Sequence, residues 1–101
     1  MKGLIKMTEM QKLILLLVKM RVPFEMAYQD FGNNDLYPQI WLPNKANVKA
    51  DVICHPWSYG GKDGLLEMMA DFDNYDDDVK GYLTANEALD QILDIANREG
   101  F

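Results

Sequence analysis

Apolar residues recur along this chain at two periods, and the change of period organises it. Thr8 is followed three residues later by Gln11, and Met10, Leu13, Ile14 and Leu17 then fall three or four apart, which predicts a capped helix from about 8 to 20. Leu15, Leu16 and Val18 widen its apolar surface, so it must be covered nearly all round, as a central core helix or at a homodimer or partner interface. Pro23 ends it. Phe24, Met26 and Tyr28 alternate with Glu25, Ala27 and Gln29, which predicts a half-buried strand.

Gly32 to Asp35 is turn chemistry. Leu36 to Leu42 reads as a second strand, closed by Pro43, with Pro38 inside it. Proline donates nothing to a ladder, so this strand is expected at an edge or with a bulge at Pro38. After a turn at Asn44 to Asn47, Val48, Ala50, Val52 and Cys54 alternate with Lys49, Asp51, Ile53 and His55. The first set should face the core, which turns Ile53 and His55 toward Tyr37 and Trp41 on the other face.

The stretch from Cys54 to Met69 is where the sheet is expected to hand over to helices. Asp63 can cap a helix bearing Leu65, Leu66, Met68, Met69 and Phe72. An Asp-rich loop follows, and Thr84 with Glu87 makes a second capping box before Leu89, Ile92, Leu93 and Ala96. The expected architecture is α+β, a three-stranded antiparallel sheet packed against helices in the order α-β-β-β-α-α, with Gly81 to Leu83 a candidate extra strand. Residues 1–101 form one compact domain.

The composition fits a folded domain: 101 residues, 49% hydrophobic. The formal charge of −6 hides a gradient. Residues 1–50 carry seven basic and four acidic side chains, and residues 51–101 carry three and twelve. A negative face repels phosphate backbones, which argues against direct nucleic-acid binding and for a protein partner with a basic surface. The one cysteine, Cys54, excludes an internal disulfide and fits a reducing compartment. The run Leu13 to Val18 is too short to span a bilayer, and no small-residue cleavage site follows it, so a cytoplasmic location is expected without membrane association.

Candidate chemistry is sparse. Cys54 and His55 are adjacent, so on a strand their side chains diverge and form no dyad. A single His without further His or Cys makes no transition-metal site, no cofactor is implied, and no pair of titratable groups is arranged for acid and base work; an enzyme is not expected. The loop from Ser58 to Gly64 could present backbone amides and Lys62 to an anion at a helix N-terminus, with His55, Trp57 and Tyr59 beside it. The stretch Asp76 to Glu87 resembles an EF-hand calcium loop, in which Asp76, Asp78, Glu87 and the carbonyl of Tyr82 would be ligands. Lys80 stands where the fifth-position oxygen should be, and its ammonium opposes a cation.

The wording Val-Ile-Cys-His from Val52, Ser-Tyr-Gly from Ser58, Gly-Leu-Leu-Glu-Met-Met from Gly64 and Gly-Tyr-Leu-Thr-Ala from Gly81, with Arg-Val-Pro-Phe-Glu from Arg21, is similar to short uncharacterised proteins of phages and mobile elements of Firmicutes and gut bacteria. The resemblance implies a genomic setting. Combined with the acidic C-terminal half, it suggests a small accessory protein that binds and inhibits a host macromolecule. An anti-CRISPR is the leading candidate, acting by surface binding or DNA mimicry through Asp71, Asp73, Asp76, Asp77 and Asp78. The alternative is a module that binds or sequesters a small ligand, nucleotide or calcium, through His55, Trp57, Tyr59 and Lys62 or the EF-hand-like loop.

Overall fold

A computed structural model describes residues 6–72 and 78–101. Helix α1 (Glu9–Lys19) is followed by strands β1 (Glu25–Asp30), β2 (Leu36–Pro43) and β3 (Val48–Ile53). A single 3-10 turn (Gly61–Asp63) leads into β4 (Leu66–Ala70) and β5 (Val79–Leu83), and α2 (Ala85–Glu99) follows. The strands form one antiparallel meander in the order β1-β2-β3-β4-β5. The class is α+β, but the sheet has five strands and only α1 and α2 pack on it, not three strands under three helices.

The correction turns on Leu66–Ala70. Leu, Glu, Met and Ala are good helix formers, and the doublets Leu65-Leu66 and Met68-Met69 satisfy a helical period. They also satisfy a period of two: Leu66, Met68 and Ala70 are buried, while Met69 between them is exposed. Pairing decides, because Ala50, Val52 and Ile53 of β3 meet Ala70, Met68 and Glu67 in register, and tertiary pairing outweighs a weak local propensity. The residues Gly81 to Leu83 belong to the strand on the other side of β4.

Both helix starts obey the capping-box spacing. Thr8 Oγ1 accepts from the Gln11 amide at 3.1 Å and Gln11 Oε1 accepts from the Thr8 amide at 2.9 Å; Thr84 and Glu87 repeat this at 3.2 and 2.9 Å. Gly100, at φ 85°, closes α2 with its amide on the Ala96 carbonyl. The two helices are tied at their starts, where Glu9 Oε1 accepts from the Ala85 amide at 2.8 Å. They cover one face of the sheet: Leu13 and Leu17 of α1 and Ile92 and Ile95 of α2 share a core with Ile40, Leu42, Val52, Leu66 and Met68, all essentially without solvent contact. The helix is not covered all round within the chain, as a central core helix would be, since Leu15 and Val18 of α1 remain 57% and 60% exposed.

Strand β2 is interior, so Pro38 does not mark an edge strand, and the bulge lies at Leu42/Pro43 rather than at Pro38. Pro38 is tolerated because β3 pairs with β2 only from Gln39 onward. It pairs with Tyr28 of β1 on one side and meets no ladder partner on the other. The face without helices carries Gln39, Trp41, Asp51, Ile53, Glu67 and Met69. Trp41 is nevertheless only 9% exposed, because Lys45 Nζ stands 4.8 Å from its ring and the Lys45 amide is fixed on Glu25 Oε1 at 2.8 Å. Among the described residues no helix is long and apolar enough to cross a membrane.

Candidate binding site

After β3 the chain closes a tight loop through its own polar groups. Ser58 Oγ accepts from the His55 amide at 3.0 Å and donates to the His55 carbonyl at 2.8 Å, which also accepts from the Ser58 amide. The Trp57 amide donates to His55 Nδ1 at 3.1 Å, so the neutral ring carries its proton on Nε2. The imidazole stacks on Phe31, with ring centres 4.3 Å apart and an interplanar angle of 28°, and lies near Tyr37 and Trp57. Cys54 packs toward the hydrophobic core, and burial pushes its thiol up from the usual value. The two side chains therefore part company, although β3 ends at Ile53 and both residues lie beyond it, in the loop rather than on the expected strand.

The glycines let this loop close on itself, at Gly61, and approach β5, at Gly60 and Gly81. A Cβ on Gly61 would lie 1.7 Å from the His55 carbonyl oxygen, and one on Gly81 would lie 2.2 Å from Tyr59 Cβ. The Tyr59 amide donates to Glu67 Oε1 of β4 at 2.8 Å, and the Tyr59 carbonyl accepts from the Tyr82 amide at 3.1 Å. Tyr82 has φ 57°, in the left-handed region, beside the register shift between β4 and β5.

The outcome is a cleft of about 450 Å³ walled by Trp57, Tyr59 and Tyr82, with Pro56, Lys62 and Asp63 at its margin. The three rings are 59%, 60% and 62% exposed. Of the residues singled out in the sequence, Trp57, Tyr59 and Lys62 meet here, while His55 lies outside the lining. The expected helix N-terminus for an anion is not formed. The only helical piece is the 3-10 turn Gly61–Asp63, and the amides of Gly61, Asp63, Gly64 and Leu65 are spent on the carbonyls of Ser58, Gly60 and Gly61.

The EF-hand-like stretch is not a helix-loop-helix, because β5 occupies Val79–Leu83. Lys80 donates to Gln91 Oε1 and lies 4.5 Å from the Phe72 ring centre, and Glu87 is engaged in the cap of α2. Among the described residues no group of three His, Cys, Asp or Glu could hold a metal ion. Asp73, Asp76 and Asp77 lie outside the described residues.

A second cleft, about 380 Å³, lies where β3 begins and β4 ends. Asp71 and Asp78 line it together with Asp51, Lys49 and Met69. The Ala70 amide donates to the Asp78 carbonyl at 3.0 Å, and the Arg98 guanidinium of α2 donates to the Asp71 carbonyl. Burial, then the neighbouring Glu67 carboxylate, push the Asp51 carboxyl above its ordinary range, against a weaker opposing contact from Gln39. Sequence reasoning missed Asp51 as a partner of these acids, although alternation already put it on the open face. It also missed the Tyr82 ring, for which only the left-handed backbone gives a signal. Comparison with protein-family models, curated proteins and solved structures gives no match.

Proposed function

We propose that this chain is a small acidic binding protein that docks on a basic surface of a host protein and blocks it. The observation that carries the reading is the placement of Asp51, Asp71 and Asp78 around one cleft, where three carboxylates outnumber the single ammonium of Lys49. Asp51 is held there against burial and the charge of Glu67. A Lys or Arg from a partner entering this cleft relieves that repulsion and gains charge-assisted hydrogen bonds. Carboxylates gathered at one cleft compete with phosphates for the same cations, which is how such a face would displace nucleic acid from a basic channel.

Binding rather than catalysis fits the rest of the molecule. The thiol of Cys54 is turned to the core, and His55 Nδ1 is occupied by a backbone amide. The phage-like wording makes a CRISPR effector the first partner to try. Asp71→Lys with Asp78→Lys, and separately Asp51→Asn, should weaken both capture of the effector and inhibition of its cleavage, and the wild-type interaction should weaken as salt rises. Undiminished inhibition by the double variant, with the fold intact by circular dichroism, would refute the acidic-face reading.

A further inference from the structure

The aromatic cleft is a separate surface and does not depend on the acidic-face reading. We propose that the cleft of Trp57, Tyr59 and Tyr82 binds an extended, proline-containing peptide segment with basic flanking residues.

The first ground is the backbone of Tyr82. A tyrosine at φ 57° occupies a region that L-residues with large side chains avoid, whereas glycine enters it freely. What the strained residue displays is its ring, 62% exposed beside two others that are exposed as much. Strain of this kind is informative at binding sites, where the surrounding structure holds it in place. Here that structure is the bond from Tyr82 to Tyr59 and the close approach of Gly60 and Gly81, whose hydrogen atoms leave room that a methyl group would fill. The backbone that carries Tyr59 and Tyr82 is therefore in place before a ligand arrives, which limits the ordering cost of binding.

The second ground is the chemistry of the walls. Indole and phenol faces alternate with donors: the indole N–H, two phenol hydroxyls and the Lys62 ammonium, against the single carboxylate of Asp63. The amides of Gly61, Asp63, Gly64 and Leu65 are spent within the loop, and a net charge of −6 repels polyanions. A polyproline II strand is the complement. Its backbone makes no internal hydrogen bonds, so its carbonyls are free to accept, and its pyrrolidine rings lie flat on aromatic faces with little entropy left to lose. Basic flanking residues answer Asp63 and the overall charge of the molecule.

The test is a titration of the full chain with a synthetic hexaproline peptide carrying arginine at both ends, followed by NMR. The indole N–H of Trp57 and the amides of Tyr59, Lys62 and Tyr82 should shift saturably, and the indole of Trp41 should not. Trp57→Ala and Tyr82→Gly should each weaken binding by roughly tenfold or more. Tyr82→Gly is the informative variant, because it removes the ring while relieving the backbone and so keeps the fold. Asp71→Lys with Asp78→Lys should bind the peptide within about twofold of the wild type, which separates this site from the acidic face. No saturable shift at millimolar peptide, equal binding by an arginine-flanked hexaglycine, wild-type affinity in Tyr82→Gly, or shifts at Trp57 with AMP but not with the peptide would each overturn the proposal.

Discussion

The amide of Tyr82 donates to the carbonyl of Tyr59 at 3.1 Å. This single bond joins the loop after β3 to the last strand of the sheet, and it does so at a residue whose backbone is left-handed. Local structure and surface display are thus coupled at one point.

Substitutions at Tyr82 should separate backbone from ring. Glycine and asparagine accept a positive φ, so Tyr82→Gly and Tyr82→Asn should lie within about 1 kcal/mol of the wild type in urea denaturation. Tyr82→Val combines β-branching with the same φ and should cost about 1–2 kcal/mol more than the glycine variant. If valine matched glycine, the left-handed geometry would not be a constraint.

The two glycines facing the loop should be far less forgiving. Gly61→Ala drives a methyl group into the His55 carbonyl, and Gly81→Ala drives one into Tyr59 Cβ. Each forces a backbone to move, so losses of about 2–4 kcal/mol are expected. Gly64→Ala meets nothing within 4 Å but keeps φ 74° and should cost only about 1 kcal/mol. Midpoints of chemical denaturation decide the ranking.

Acid should act on Asp51 and Glu9 in opposite senses. The Asp51 carboxyl is raised above its ordinary 3.8 by burial and then by Glu67, so its contribution favours the fold at low pH and is lost as pH rises through the raised value. Glu9 is lowered from 4.5, first by the Ala85 amide and then by Lys12. It contributes above 4.5 and loses that contribution as pH falls through the lowered value. Asp51→Asn should therefore be at least as stable as the wild type at neutral pH, with the difference vanishing in acid. Glu9→Gln should be less stable at neutral pH, with the gap narrowing in acid. Urea midpoints at neutral and acid pH read both.

Helix α1 should show two sensitivities within six residues. Leu13 has no solvent contact, and Leu13→Ala should cost about 2–5 kcal/mol. Leu15 and Val18 are more than half exposed, and Leu15→Glu or Val18→Glu should change stability by no more than about 0.5 kcal/mol. A large loss in either glutamate variant would mean that this face of α1 is covered in solution, and sedimentation would then show whether a second copy covers it.

Much of this was legible in the residues. Thr8 with Gln11 and Thr84 with Glu87 marked both helix starts, because a capping box is a local device whose partners are three residues apart. The alternation from Val48 marked β3 for the same reason, although the strand stops at Ile53, before Cys54 and His55. What failed was long-range. The segment from Leu65 to Phe72 has helix-forming composition, and only the partners offered by β3 and β5 draw it into the sheet. Pro38 was misjudged because its tolerance depends on where β3 stops pairing, a matter of register. Trp57, Tyr59 and Lys62 could be grouped because they are contiguous. Tyr82 joins them across more than twenty residues by a backbone bond that no pattern announces, and Asp51 meets Asp71 through the pairing of β3 with β4 and Asp78 through its carbonyl on the Ala70 amide.

The roof of the sheet is made from its first and last helices, held together where Glu9 grasps the Ala85 amide across 76 positions of chain. During synthesis the ribosome would thus extrude the whole meander before α2 exists to dry Leu66 and Met68. Until translation reaches that helix, the nascent polypeptide holds wet sheet surface that chaperones can grip.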